Sequence, residues 1–227
     1  MPAPTFKRDT LKGRKIRKAI GEANVAEAVG EITPGCEVYG LTMGKWSLVD
    51  LIEHCLRATG PADVMISTWT AAGADIGFAN ALLKNGSIRS MRFVVDASFQ
   101  IRQPAYCAAL RDAFGDSAIR VTENHAKFVT IKNESWNLVL RGSMNLNENR
   151  RLESFEISDC PAMMDWLTET IDALFEKQKD TFDKSRHERR ELFGVEWSED
   201  GASQDDGKYF DPSPLGVDLR RAGLSYD

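Results

Sequence analysis

The sequence predicts an α/β fold: a mixed β-sheet flanked by helices on both faces. Three observations carry this. Up to about residue 120, short apolar runs alternate with longer segments of helical period, which argues for layered sheet and helices. From 125 to 158 the apolar runs follow one another without a helical segment between them, so a hairpin joins the sheet and makes it mixed. The chain has 227 residues, 42% hydrophobic and 28% charged, enough to bury a core in one domain.

The elements follow in order. Residues 15–31 read as a helix, with Ile16, Ile20, Val25, Ala28 and Val29 on one side, and Pro34-Gly35 ends it. Glu37 to Leu41 reads as a short strand. Ser47 is the expected N-cap of a helix through Leu48, Leu51, Ile52, Cys55 and Leu56, closing near Gly60-Pro61. Asp63 to Trp69 is a buried-strand candidate, residues 72–84 a helix stopped by Asn85-Gly86, and Met91 to Val95 the next strand. Residues 103–114 read as a helix with Pro104 at its start. Ile119 to Thr122 is a strand leading into a hairpin of Phe128–Ile131 and Trp136–Leu140. A last helix, 161–178, carries Met164, Trp166, Leu167, Ile171 and Leu174 on its apolar side.

This divides the chain into a basic N-terminal arm and helix (1–34), an α/β domain (35–179) and a polar, acidic C-terminal extension (180–227). The net charge is −5. Seven bases and one acid lie between residues 7 and 18, while residues 180–227 hold twelve acids and seven bases. The two ends are therefore suited to separate contacts, or are solvated surface. Tyr209-Phe210 and Pro212-Ser-Pro214 give the tail anchors for a protein partner. No apolar run is long enough to span a bilayer, and the first residues lack the apolar core of a secretion signal, so a cytoplasmic protein without a membrane role is expected. The cysteines at 36, 55, 107 and 160 are scattered and form no C-x-x-C pair, the pattern of reduced, buried thiols. Trp46, Trp136 and Trp166 read as core or sheet anchors, whereas Trp69, at a strand end, is the tryptophan that can approach a site.

The chemistry-bearing residues cluster around the hairpin. His125-Ala-Lys127 precedes its first strand, and Gly142-Ser143-Met-Asn145 follows its second, so an antiparallel pairing carries all of them to one end of the sheet. An imidazole, a fixed cation, a hydroxyl and an amide together suit the binding and attack of a phosphodiester. Singly, each has an ordinary reading: His125 as a strand-end histidine tied to a carbonyl, Lys127 as a surface lysine, Asn145 and Asn147 as turn formers. The sequence contains no phosphate-binding P-loop, no G-x-S-x-G and no clustered zinc-ligand set.

H-x-K followed by G-S-x-N resembles the half-site of the phospholipase D superfamily, and the run from Ser143 to Asn147 with Arg151 and Glu153 looks like its bacteriophage and prophage members, nearest the bacterial nuclease branch. The superfamily's H-x-K-x4-D places an Asp where this chain has Lys132, with Asn133 as the nearest polar substitute. The resemblance implies the following roles. His125 is nucleophile or acid and forms a phosphohistidine. Lys127 and Asn145 bind phosphate, Ser143 donates a hydrogen bond, and Glu153 holds the His125 ring. No metal or other cofactor is implied. The flanking Arg141, Arg150 and Arg151, with Asn147, extend a nucleic-acid backbone surface. Since no second H-x-K exists, the resemblance implies a two-fold homodimer with His125 of each chain at the axis. The expected activity is a nuclease or phosphodiesterase. The alternative is a catalytically inactive DNA-binding or phage assembly protein using the same pocket, and a weaker third reading is a phospholipid hydrolase.

Overall fold

The computed structural model describes residues 14–18, 24–147 and 150–178, the first group as backbone. The tail at 180–227 and the basic residues Lys7, Arg8 and Lys12 of the arm lie outside the described residues. Eight strands form one mixed sheet: β1 (Arg14–Lys18), β2 (Glu37–Thr42), β3 (Ala62–Thr68), β4 (Ile88–Asp96), β5 (Ile119–Thr122), β6 (Phe128–Lys132), β7 (Asn137–Gly142) and β8 (Glu153–Asp159). Their spatial order is β1-β2-β8-β7-β6-β3-β4-β5. The helices are α1 (Val25–Val29), α2 (Leu48–Thr59), α3 (Gly73–Lys84), α4 (Phe99–Arg102), α5 (Pro104–Phe114) and α6 (Pro161–Lys177).

The helix expected over 15–31 is not formed as one element. Residues 14–18 pair in parallel with β2, Arg14 opposite Glu37 and Lys18 opposite Leu41, and only Val25–Val29 is helical. The exposed backbone of β2 outweighs a marginal helical period here, and a Lys/Arg-rich strand suits a sheet edge, where charge discourages further pairing. The other expected elements stand where the sequence placed them. Ser47 caps α2 with a reciprocal bond to Asp50, a capping box that contributes about 1 kcal/mol.

The sheet divides the core into two unequal layers. α1, α2, α3, α4 and α5 pack on one face, where Leu51, Ile52, Ile76, Phe99 and Leu110 meet Val38, Ile66, Phe93, Leu140 and Phe155. Among the described residues α6 is the helix on the other face, setting Ile171 and Leu174 on Met65 and Val94, and Met163, Met164 and Leu167 on Val139. Each large apolar side chain so buried stabilises the fold by roughly 1.5–3 kcal/mol. Trp46 is buried edge-on against Phe155 at 5.2 Å, and Trp136 and Trp166 pack on the two cores, so all three act as anchors.

Strand direction decides where function can sit. β3, β4 and β5 are mutually parallel, and β6 runs antiparallel to β3. β7 and β8 then alternate, and β2 again opposes β8. The C-terminal ends of β2, β3, β4, β5 and β7 therefore share one edge with the N-terminal ends of β6 and β8. Every loop bearing a sequence-predicted site residue opens at that edge.

Candidate active site

His125 and Lys127 stand at the head of β6. The Lys127 Nζ lies 3.5 Å from Nδ1 of His125 and donates to the His125 carbonyl at 3.2 Å. His125 is exposed and Lys127 half-buried. Burial pulls the Lys127 ammonium below the ordinary lysine range, and the charge of Glu153 opposes that fall. Lys127 makes no direct ion pair among the described residues.

The segment carrying His125 is pinned by Asn124, which the sequence reading missed. Asn124 is 7% exposed. Its Nδ2 donates to Ser67 Oγ at 3.0 Å, the Val94 carbonyl at 3.1 Å and the Thr68 carbonyl at 3.2 Å. Its Oδ1 accepts from Ala126 N at 3.0 Å, and its own backbone N–H donates to Asp96 at 2.9 Å. Ser67 donates to the Ala126 carbonyl at 2.9 Å. One buried amide thus ties the loop to the ends of β3 and β4. Its sequence signal was slight, a lone polar residue between a strand and the motif.

Gly142, Ser143 and Asn145 follow β7. A Cβ at Gly142 would lie 2.1 Å from the Ser154 carbonyl oxygen, so only glycine fits where β7 meets β8. The close approach lets Ser143 N–H donate to that carbonyl at 3.1 Å, while Ser143 Oγ accepts from Ser154 N at 2.9 Å and donates to Glu153. Glu153 therefore accepts from Ser143, and its charge acts on Lys127. Asn145 is seated by Thr68, fully buried at the end of β3. Thr68 Oγ1 donates to the Thr70 carbonyl at 2.7 Å, accepts from Leu146 N at 3.2 Å and lies 3.5 Å from Asn145 Oδ1. A bridge between Ala71 and Leu146 locks the two loops together.

The remaining predicted residues separate. Arg141 alternates with Val139 onto the α6 face and is paired with Glu156. Arg150 and Arg151 are exposed in the loop before β8, and Asn147 is half-buried, its Oδ1 without a hydrogen-bond partner among the described residues. Lys132 lies at the far end of β6, with Asp165 at 3.5 Å. Beside it Asn133 serves as scaffold, accepting from Ser135 N and Trp136 N at 3.0 Å and donating to the carbonyls of Thr59 (2.9 Å) and Pro61 (3.3 Å). Of the other histidines, His54 is bonded to the Gly30 carbonyl at 2.8 Å on α2, and His187 lies outside the described residues.

α4, too short to show a helical period, brings a further group to the same edge. Asp96 accepts from the backbone and hydroxyl of Ser98 and starts this turn. Arg102 then reaches Trp69, whose ring lies 5.9 Å from that of His125. Among the described residues, no group of three or more His, Cys, Asp or Glu side chains is placed to hold a metal, and no helix is long and apolar enough to cross a membrane.

By sequence, the chain matches no protein family model and no curated protein. By structure it is similar to NucT from Helicobacter pylori, with 13% identity and a TM-score of 0.43 over 62% of this chain and 96% of that one. It is also similar to polyphosphate kinase from Porphyromonas gingivalis, with 11% identity and a TM-score of 0.47 over 63% of this chain and 26% of that one.

Proposed function

We propose that this chain is a phosphodiesterase that cleaves nucleic acid through His125, acting as a homodimer. The observation that carries the reading is the convergence at one sheet edge of an exposed imidazole, a cation beside it, a Ser–Glu pair and an amide seated by a buried threonine. A phosphodiester resists attack because its oxygens repel a nucleophile and its leaving oxygen needs a proton. Lys127 and the Asn145 amide offset the first difficulty, in a rigid setting that needs no reorganisation.

In the reaction, an imidazole nitrogen of His125 attacks phosphorus. A phosphorus–nitrogen bond forms as the bond to the leaving oxygen breaks, and that oxygen takes a proton from His125 of a second copy. Water then attacks the phosphohistidine, giving its proton back to the second imidazole and releasing the phosphate with His125 free. The lone half-site motif supports the second copy, and the resemblance to metal-independent enzymes supports a route through histidine.

Cleavage of labelled single- and double-stranded DNA in the presence of chelator tests this. Wild type should cleave, and His125→Ala should lose about a thousandfold or more of the rate. Activity per chain should also fall on dilution below the dimer's dissociation constant. No cleavage by wild type across pH and concentration would replace this reading with a binding or assembly role.

A further inference from the structure

Residues that take no part in these steps build a cleft of about 510 Å³ with His125 on its wall. Its walls come from the loops after β3, β4 and β5. Trp69 supplies an aromatic surface, and Ala97 and Ile101 an apolar one, with Ile101 83% exposed at the rim. Ile101 stands at the rim, where a flat ring entering the cleft would cover it.

Arg102 borders the same place. Its guanidinium carbon stands 3.6 Å from the centre of the Trp69 ring. Nε donates to Ser98 Oγ at 2.9 Å, and a terminal nitrogen donates to the Trp69 carbonyl at 3.2 Å. Arg57, Arg89, Arg92, Arg111 and Arg141 each pair with a carboxylate, but Arg102 makes no ion pair among the described residues. The fold therefore orients this cation and leaves its charge for a ligand.

The charges sort the ligand. Asp96 and Glu123 line the cleft and repel a phosphate placed inside it, which leaves its interior to an uncharged ring. The cations, Lys127 and Arg102, stand by His125 and by Trp69. The run Lys127, His125, Trp69, Arg102 sets a cation at either end with an aromatic wall between, an order that suits a nucleotide strand with its phosphates on the cations and a base against the ring.

We infer that this cleft receives the base next to the scissile phosphate, with Trp69 as its aromatic wall and Arg102 on the neighbouring phosphate, so that the substrate is a single strand. The inference rests on the phosphodiesterase reading above. A base within a duplex is stacked and paired, and reaches the cleft only by giving up both.

Binding to the full chain separates the possibilities, read by fluorescence anisotropy in a His125→Asn background that leaves the strand uncut. The probes are a short thymidine oligonucleotide, an abasic strand of equal length and charge, and the corresponding duplex. The base-bearing single strand should bind about tenfold tighter than either of the others, as expected for base–aromatic stacking. Trp69→Ala should remove most of that preference and Trp69→Phe should keep it. Ile101→Glu, at a site too exposed to disturb folding, should weaken the base-bearing strand more than the abasic one. Equal affinity for base-bearing and abasic strands, or for single strand and duplex, overturns the inference while leaving the phosphodiesterase reading intact. A preference untouched by Trp69→Ala and Ile101→Glu also overturns it. Binding to none of the three would sink the nucleic-acid reading, and this inference with it.

Discussion

The two ends of β6 differ in how the fold uses its polar groups. At the far end almost every one is satisfied by structure. Lys132 faces Asp165, Asn133 holds four backbone groups of the turn and of the α2–β3 connection, and Asp159 accepts from Gly35 N and Asn137 N. At the near end, Lys127 and Arg102 stand without ion pairs among the described residues, and His125 is open to solvent. A scaffold saturates its hydrogen bonds and pairs its charges, and a site keeps them for a ligand. One strand separates the two regimes, so substitutions at its two ends should have unlike consequences.

The largest effect should come from Gly142→Ala. The new Cβ would meet the Ser154 carbonyl, a backbone atom that moves only if β7 and β8 part. We expect a loss of stability of about 3 kcal/mol, the upper end of overpacking costs, measured by denaturant unfolding. Activity should fall with it, because Ser143 hangs on the same carbonyl. An unchanged midpoint would show that the strands can separate freely there, which contradicts the rigid near end described above.

Thr68→Val comes next and tests whether buried support, rather than the exposed residues alone, sets the geometry. The substitution keeps the shape and removes the hydroxyl that serves Thr70 and Leu146. Two buried backbone groups lose their partner, at a cost of about 1–3 kcal/mol. Cleavage should slow about tenfold to a hundredfold as Asn145 shifts, with the folded protein still present by circular dichroism. A full rate would mean that Asn145 holds its place without Thr68.

These supports mark the limit of what the sequence made legible. The strand–helix alternation, the Ser47 cap and the hairpin come from periodicity and local chemistry, which are properties of contiguous residues. So does the joining of His125, Lys127, Ser143 and Asn145, because an antiparallel hairpin fixes its own ends. Thr68, Asn124 and Arg102 reach the site across sheet neighbours far apart in sequence, and no local pattern encodes that order. The strand at 14–18 was hidden for the same reason: its pairing partner, β2, decides its state. Arg141 was read as a substrate contact because it adjoins the motif, yet alternation along β7 turns it to the α6 face and to Glu156.

Glu153→Gln should have a subtler effect, seen in the pH profile. Burial lowers the Lys127 pKa and Glu153 raises it. A step that needs the ammonium loses rate as pH rises through that pKa, so the alkaline limb of kcat/KM should begin below the pH at which free lysine deprotonates. Removing the carboxylate removes the opposing influence, and the limb should move to still lower pH. Glutamine keeps an acceptor for Ser143, so geometry is largely preserved. A limb that stays in place, or moves upward, would show that Lys127 does not set it.

The smallest effect should belong to Lys132→Asp, although it completes the H-x-K-x4-D pattern that His125 and Lys127 begin. Phe128 and Lys132 are four steps apart, about 13 Å at strand rise, and His125 lies beyond Phe128. Exposed charges at that distance are screened at physiological salt, where the Debye length is about 8 Å. The rate should therefore stay within about twofold of wild type. Stability should fall by up to about 1 kcal/mol, because an exposed ion pair with Asp165 is lost and an Asp then stands across the ladder from Asp63. Asn133 already performs the turn-holding work at this end, so an added carboxylate finds the Ser135 and Trp136 donors occupied. A large gain in rate on Lys132→Asp would mean that the two ends of β6 are coupled, and the division between scaffold and site would have to be redrawn.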